Sequence, residues 1–382
     1  MMNYFDQFEE KIVNFNTHFA VEKKELDLVV ETFRNAPVYT ITESAGSLNS
    51  YQYFLYPFKG FSLVSHRLNA FLGRYLAKLV APETEVIVTI DADGIGVASF
   101  VAAELDLPLI IAKPFHYQQN CVEFIQEAGY HRRTMYMPAL IQGKKTAIVD
   151  CMVSTGGTIA GMVAAIQKIP GTAVTGILCV NNKSNYGSQV DNILGIPYTY
   201  LIESKINGEG RVDAHSSHAL RLAFWQEIDQ KFYALTEDCS AFSKISKQGY
   251  RVGSVIVDAN TFEILSWGFR RGHLHGEQDA LSMLKINFPD WENRQLTLYS
   301  TMEPCVYRNN VGHTPCADLI ADIPQIRWVI IGSKDTSDYR ICGEGIKRLV
   351  ERGKNIRLIE NNQVFRAEDA VEIRQFSIPT TV

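Results

Sequence analysis

Residues between positions 275 and 316 have the types and order that a catalytic metal site needs. His275 and Glu277 lie two apart in HLHGEQDAL, and Cys305 and Cys316 bracket the loop of TMEPCVYRNNVGHTPC. One imidazole and two thiolates make three zinc ligands and leave the fourth tetrahedral position open to water. Because structural zinc sites are usually closed by a fourth protein ligand, this set predicts a catalytic Zn²⁺ site.

The cysteines allow two other interpretations, a disulfide or an accident of composition. The chain has seven cysteines, an odd number at irregular spacing, which is not typical of a secreted disulfide framework. A lone His or Cys is more often a packing residue than a ligand, and His273 and His313 are alternative imidazoles nearby. The cysteines without a motif around them are interpreted as ordinary thiols: Cys121, Cys179, Cys239 and Cys342.

Glu277 is left over once the three ligands are assigned. The order H-x-E followed by two cysteines is that of zinc deaminases, in which the metal activates water and a glutamate that is not a ligand shuttles protons. In that chemistry Glu277 protonates a ring nitrogen and then the leaving ammonia. The sequence therefore predicts hydrolytic deamination with Glu277 as a catalytic residue.

The longer loop between the cysteines carries a family resemblance. TMEPCVYRNNVGHTPCADLI is similar to the pyrimidine deaminase of riboflavin synthesis, whose members read T-x-E-P-C, then a loop with His, Gly and Thr, then P-C-A-D. The segment GEGIKRLVERG resembles that family's G-x-G-x-x-x-L segment. The resemblance spans about residues 245 to 360 and implies a cytidine deaminase-like α/β/α sandwich that acts on an amino-bearing base.

A second constellation, VDCMVSTGGTI, lies at Val149 to Ile159. Asp150 comes near the end of a predicted strand, and a Ser-Thr-Gly-Gly-Thr loop opens the next helix. Glycines let the backbone approach an anion closely, and a helix N-terminus favours negative charge. A strand-to-helix turn capped by Ser154 or Thr155 is the alternative interpretation.

This loop is similar to the diphosphate-sugar motif of type I phosphoribosyltransferases, whose substrate is phosphoribosyl pyrophosphate. The resemblance spans about residues 25 to 205 and includes DADGIGVASFVAAEL, which looks like the pyrophosphate loop, PLIIAKP with its basic Lys113, and residues 114 to 140, where that family has a mobile lid. It implies that Asp150 holds a ribose hydroxyl. It also implies that the pyrophosphate faces Asp91, Ala92, Asp93 and Gly94. The 5′-phosphate would be enclosed by Ser154, Thr155, Gly156, Gly157 and Thr158.

Cys151 stands where that family usually has a second acidic residue. A thiol is a poor ligand for a hard cation such as Mg²⁺, which could accompany phosphoribosyl pyrophosphate in this site. The replacement favours an alternative in which the first domain only binds nucleotides and regulates the second.

The elements that must position these residues follow from periodicity. Apolar β-branched runs alternate with helical patterns, which predicts an α/β protein with two domains. These are a phosphoribosyltransferase-like parallel sheet over residues 1–210 and a deaminase domain over 211–382, separated near the polar SKINGEGRVDAHSSH. The aromatic stretch YQYFLYPFKGF at 51 to 61 is interpreted as strands with core aromatics.

Composition limits the functional classes. The 382 residues include 37 Lys and Arg against 42 Asp and Glu, and no basic run stands out, which argues against nucleic acid as a partner. No apolar run approaches a membrane span and the N-terminus does not resemble a signal peptide, so we expect a cytoplasmic protein. We also expect a homodimer or a higher homo-oligomer.

Together these features predict a bifunctional enzyme of nucleotide metabolism. A zinc deaminase would act on a nucleobase or its ribosyl phosphate, and the first domain would use phosphoribosyl pyrophosphate or a nucleotide. The alternatives are a deaminase with a nucleotide-sensing domain and an RNA-editing deaminase with a docking domain, the latter disfavoured by the acidic balance.

Overall fold

The computed structural model describes residues 4–42, 50–55, 65–116, 120–129, 131–186, 195–243, 251–307 and 314–365. Their contacts define two compact units. The first unit is Lys24–Trp225, and the second combines the described residues of Met1–Lys23 and Gln226–Val382. The domain boundary that the sequence predicts between residues 210 and 211 stays a prediction.

The first unit is built on a six-stranded sheet with the strand order β10-β9-β8-β7-β3-β4. Its strands are parallel except for the antiparallel β9–β10 pair, which SKINGEGRVDAHSSH forms in part. Two small hairpins, β1–β2 and β5–β6, accompany the sheet. The strands are β1 Val38–Ile41, β2 Tyr51–Phe54, β3 Val86–Ile90, β4 Leu109–Ala112, β5 Cys121–Glu127, β6 Arg132–Pro138, β7 Lys145–Val153, β8 Ala173–Lys183, β9 Tyr198–Ile206 and β10 Val212–Ser216.

Helices make the crossovers that parallel strands require. In the described part of the first unit, α3 connects β3 to β4 and α4 connects β7 to β8, and α2 precedes β3. The division between the units falls within α1 and α5. The helices are α1 Tyr4–Arg34, α2 His66–Ala77, α3 Gly94–Leu105, α4 Gly157–Gln167 and α5 His218–Ser240.

The pairing of β3 with β7 decides where the first site lies. These two strands are parallel neighbours, so the loops that follow them leave the sheet at the same edge. Asp91 follows β3, and Ser154 follows β7. A core of β-branched and aliphatic side chains from the sheet, the β5–β6 hairpin and α4 holds both loops in place, and it includes Val88, Ile148, Met135 and Ile166.

The second unit contains a six-stranded mixed sheet with the strand order β12-β11-β13-β14-β15-β16. The central pairs β13–β14 and β14–β15 are parallel. The strands are β11 Gly253–Asp258, β12 Ile264–Phe269, β13 Leu296–Met302, β14 Ile326–Ser333, β15 Asn355–Leu358 and β16 Gln363–Phe365, and the helices are α6 Gly276–Asn287, α7 Cys316–Ala321 and α8 Glu344–Glu351. The predicted α/β class with two sheet-containing regions is confirmed.

The aromatic stretch is described only in part. Tyr51–Phe54 forms a strand paired with Val38–Ile41, as expected, and Tyr51 and Phe54 are buried. Residues 56–61 lie outside the described residues. In the described part of the chain, no helix combines the length and apolarity that crossing a bilayer requires.

Candidate active sites

The metal-ligand set of the second unit is assembled at two helix starts and one strand end. His275 is the N-cap of α6, Cys316 is the first residue of α7, and Cys305 follows β13. Helix α6 can approach the sheet because Gly268 of β12 has no side chain. A Cβ at Gly268 would lie 2.2 Å from the backbone nitrogen of Ala280.

The three ligand atoms form a compact group. His275 Nδ1 lies 3.5 Å from Cys305 Sγ and 3.5 Å from Cys316 Sγ, and all three atoms lie within 4.8 Å of one another. Tetrahedral zinc with ordinary bond lengths places nitrogen and sulfur ligands about 3.6 Å apart. Among the described residues this is the only such group of three or more His, Cys, Asp or Glu side chains. The predicted residues are therefore together, and their spacing fits zinc.

Cys305 has the chemistry of a thiolate ligand. Hydrogen bonds from Cys316 and His275 lower the pKa of Cys305 to about 4 against the opposing effect of burial. The backbone N–H of Cys316 also donates to Cys305 Sγ at 3.4 Å. Because zinc binds the thiolate rather than the thiol, this environment favours the metal-binding form.

Glu277 lies beside the ligands in a buried position. Its side chain is 3% exposed, and burial is the main cause that raises its pKa. Ser300 Oγ donates to one carboxylate oxygen, Oε1, at 3.1 Å. The other oxygen, Oε2, is buried and has no hydrogen-bond partner among the described residues. A buried carboxylate oxygen without a partner is costly, which fits a group whose partner is a substrate.

Glu303, two residues before Cys305, connects the ligand loop to a distant segment. Its buried carboxylate accepts four backbone N–H bonds, with Oε2 bonded to Asp335 and Gly343 and Oε1 to Gly345 and Ile346, at 2.7 to 3.1 Å. Gly345 allows this contact, since a Cβ there would lie 2.2 Å from the carbonyl oxygen of Pro304. The T-x-E-P-C motif thus contains a structural anchor as well as a ligand.

The first unit contains a cavity of about 270 Å³ at the edge where β3 and β7 end. Most of the residues that the sequence predicts for phosphoribosyl binding line it: Asp91, Ala92, Asp93, Gly94, Asp150, Ser154, Thr155, Gly156 and Thr158. Two segments almost 60 residues apart therefore form one site. Lys113 is not among the described residues that line the cavity; it pairs with Tyr136 through backbone bonds.

Asp150 and Gly94 are in direct contact in this cavity. A Cβ at Gly94 would lie 2.4 Å from Thr89 Oγ1 and 3.0 Å from Asp150 Oδ1, so only glycine fits without displacing these groups. Burial is the main cause that raises the pKa of Asp150 to about 7, and the Asp93 carboxylate makes a smaller contribution in the same direction. The backbone N–H of Cys151 opposes this effect by donating to Asp150 Oδ1 at 2.7 Å.

The Ser-Thr-Gly-Gly-Thr loop has the backbone that an anion loop needs. Gly156 has φ of 84°, a value that side chains other than glycine rarely adopt. Gly157 does not line the cavity but permits close packing, since a Cβ there would lie 2.3 Å from the carbonyl oxygen of Glu127. The β5–β6 hairpin, in the segment predicted as a lid, therefore packs directly on the start of α4.

Side chains for which the sequence predicts no role in the site complete the cavity. Tyr51 donates to Ser154 Oγ at 3.1 Å, and Gln126 Nε2 lies 3.4 Å from Thr158 Oγ1. Arg133 bonds both Gln126 and the carbonyl oxygen of Asp91. No local motif marks these residues, because each belongs to a hairpin that only the folded chain brings to the loops.

The remaining sequence candidates have simpler positions. His273 is exposed, and His313 lies outside the described residues. None of the seven cysteines, all of which are described, forms a disulfide. Cys179 and Cys239 are buried and Cys121 and Cys342 are partly buried.

Two segments of the chain match known protein families. Residues 68–194 match the family described as phosphoribosyl transferase domain, and residues 226–333 match the cytidine and deoxycytidylate deaminase zinc-binding region. Through its first match the chain belongs to the phosphoribosyltransferase family, and its second match is also to a family of enzymes.

Individual relatives cover one part or the other. The chain is 32% identical over 132 residues to the hypoxanthine/guanine phosphoribosyltransferase of Methanosarcina acetivorans. The aligned residues make up 34% of this chain and 69% of that protein. Two solved structures are also similar. Adenine phosphoribosyltransferase from Rhodothermus marinus has a TM-score of 0.37 at 16% identity and covers 47% of this chain and 97% of its own. The Rib2 deaminase of Aspergillus oryzae has a TM-score of 0.31 at 22% identity and covers 38% and 98%.

Proposed function

We propose that the chain is a bifunctional enzyme of nucleotide metabolism. The second unit would carry out zinc-dependent hydrolytic deamination of a nucleobase or its ribosyl phosphate, and the first would use phosphoribosyl pyrophosphate or a nucleotide. The observation that supports the deaminase most strongly is the juxtaposition of the His275, Cys305 and Cys316 group with Glu277, whose Oε2 is buried without a partner.

In this proposal the residues have separate roles. His275, Cys305 and Cys316 would hold zinc, which when bound supplies Lewis-acid activation of water. Glu277 takes a proton from the attacking water and delivers it to the ring nitrogen. It then takes the remaining proton from the added hydroxyl, which becomes the carbonyl oxygen, and delivers it to the amino group that leaves as ammonia. Ser300 Oγ lies 3.1 Å from Glu277 Oε1 and 2.8 Å from the carbonyl oxygen of Met302, so these two acceptors share its one hydroxyl proton. The overall reaction consumes one water and releases one ammonia.

The experiment for this half is a screen of bases and nucleotides for ammonia release. Glu277→Gln should retain zinc and fold yet lose activity on the order of a thousandfold, because an amide cannot carry the proton. Ser282→Ala, a change at an exposed position on the same helix, is the matched control and should keep wild-type activity. Wild-type turnover by Glu277→Gln would refute the mechanism.

The role of the first unit rests on the cavity that both loops line. Asp150 would bind a ribose hydroxyl, the 154–158 loop the 5′-phosphate and the 91–94 loop the pyrophosphate. In transfer, the bond from C1′ to a pyrophosphate oxygen breaks and a bond from C1′ to a base nitrogen forms, while the nitrogen proton is lost to solvent. Magnesium would offset the charge of the diphosphate.

A second candidate for this unit is a nucleotide sensor without transfer. The supporting observation is Cys151, which lines the cavity beside Asp150 and offers no hard ligand. Incubation with labelled phosphoribosyl pyrophosphate, Mg²⁺ and a panel of bases separates the candidates. New nucleotide and pyrophosphate favour transfer, a thermal shift without product favours the sensor, and neither result would contradict both.

A further inference from the structure

Arg133 occupies a place in the cavity of the first unit that no sequence motif indicates. It lies on β6 directly opposite Gln126 of β5. Its Nε donates to Gln126 Oε1 at 2.6 Å, and its Nη2 donates to the carbonyl oxygen of Asp91 at 2.7 Å. Gln126 in turn contacts Thr158 through Nε2 and Oγ1 at 3.4 Å. One guanidinium thus connects the 91–94 loop with the 154–158 loop.

The charge of Arg133 is not neutralised by these contacts. Both acceptors are neutral oxygens, and Arg133 forms no ion pair with a described residue. Three of the five N–H groups of a guanidinium remain after the two bonds. An arginine that has a fixed orientation, no ion pair and spare N–H donors is suited to bind an anion through two hydrogen bonds.

The other charged groups of the cavity oppose an anionic ligand. The lining includes the carboxylates Asp91, Asp93 and Asp150, and Arg133 is the only Lys or Arg among the described residues that line it. A diphosphate would meet repulsion from the carboxylates unless a fixed cation or Mg²⁺ stands beside it. Lys113, the basic residue that the sequence indicates for this role, does not line the cavity.

We propose that Arg133 is a binding residue for the diphosphate group of the ligand in this cavity. It is held between the two loops by Gln126 and the Asp91 carbonyl oxygen. The inference rests on the proposed phosphoribosyl site and adds to it the residue that supplies its positive charge. Because Arg133 bonds the 91–94 loop directly, the diphosphate end of the ligand depends on it more than the 5′-phosphate end does.

Isothermal titration with pyrophosphate and, separately, ribose 5-phosphate tests this assignment on the full-length protein with Mg²⁺ present. Arg133→Gln should weaken pyrophosphate binding roughly 10- to 100-fold, the scale of a lost charged hydrogen bond. Ribose 5-phosphate binding should change by less than about threefold, because the 154–158 loop remains. Arg132→Gln is the matched control, since the neighbouring arginine is exposed and should leave both affinities unchanged.

A second variant tests the same assignment if Arg133→Gln does not fold. Gln126→Ala keeps the arginine but removes one of the groups that orient it, and should weaken pyrophosphate binding several-fold. Unchanged pyrophosphate affinity in both variants, or an equal loss in Arg132→Gln, would overturn the assignment of Arg133 alone. A wild-type protein that binds neither ligand would instead refute the proposed phosphoribosyl site.

Discussion

Replacing Asp150 with asparagine should stabilise the protein without ligand while it removes phosphoribosyl binding. The carboxyl group is buried, and its pKa is raised from 3.8 to about 7. In the unfolded chain the same group ionises near its ordinary pKa. Asp150→Asn keeps an oxygen that can accept from the N–H of Cys151 and removes the ionisation altogether.

The size of this effect and its sign follow from proton linkage. Below pH 3.8 both states are protonated and the group costs nothing, whereas between pH 3.8 and 7 the unfolded state loses its proton first, so stability falls as the pH rises. At about 1.4 kcal/mol for each pKa unit, the cost is roughly 2 kcal/mol at pH 5 and roughly 4 kcal/mol at pH 8. The advantage of Asp150→Asn should therefore grow by about 2 kcal/mol between these pH values.

Urea unfolding at pH 5 and pH 8 measures the free energy of unfolding of each variant. Amide hydrogen exchange of residues 145–153, recorded under the same conditions, assigns the transition to the first unit. Glu104→Gln, which removes an exposed carboxylate of the same unit, is the control and should show no such pH dependence. The reasoning is refuted if the stability difference between Asp150→Asn and wild type does not change with pH. Phosphoribosyl pyrophosphate should raise the melting temperature of wild type only.

The other predictions concern the second unit. Purified protein should contain about one zinc per chain, and Cys305→Ser combined with Cys316→Ser should lose it; metal analysis that finds full zinc in the double variant would contradict the ligand set. Glu303→Ala should lower the free energy of unfolding by about 3–5 kcal/mol, because four backbone N–H groups lose their acceptor. Chemical unfolding measures this loss, and a change below about 1 kcal/mol would show that water replaces the carboxylate.

The sequence was most informative where chemistry and local structure share one short segment. VDCMVSTGGTI shows its strand, its glycine loop and its helix in consecutive residues, and the structure has them in that order. His275 and Glu277 are likewise close in sequence, and the intervening β13 brings Cys305 to them. Long, strongly periodic strands and helices are the elements that hydrophobic pattern indicates best.

Contacts between a hairpin and a loop that is distant in sequence could not be predicted in the same way. Tyr51 lies 103 residues before Ser154, to which it donates a hydrogen bond, and its strand alone shows only a short aromatic run. Arg133 is one of two adjacent arginines, and the sequence gives no reason to prefer it to Arg132. The two arginines are distinguished by the strand pairing, which places Arg133 opposite Gln126. The family resemblance indicates Lys113 as the basic residue of this site, but Lys113 is not among the described residues that line the cavity.

The anchoring by Glu303 fixes both ends of one exposed loop. Asp335 and Gly343 donate to the same carboxylate oxygen, so both ends of the intervening loop are fixed to one point two residues from Cys305. Tyr339, near the middle of that loop, is 83% exposed. We therefore expect a change in the length of residues 336–342 to be absorbed within the loop, because its two junctions remain bonded to Glu303.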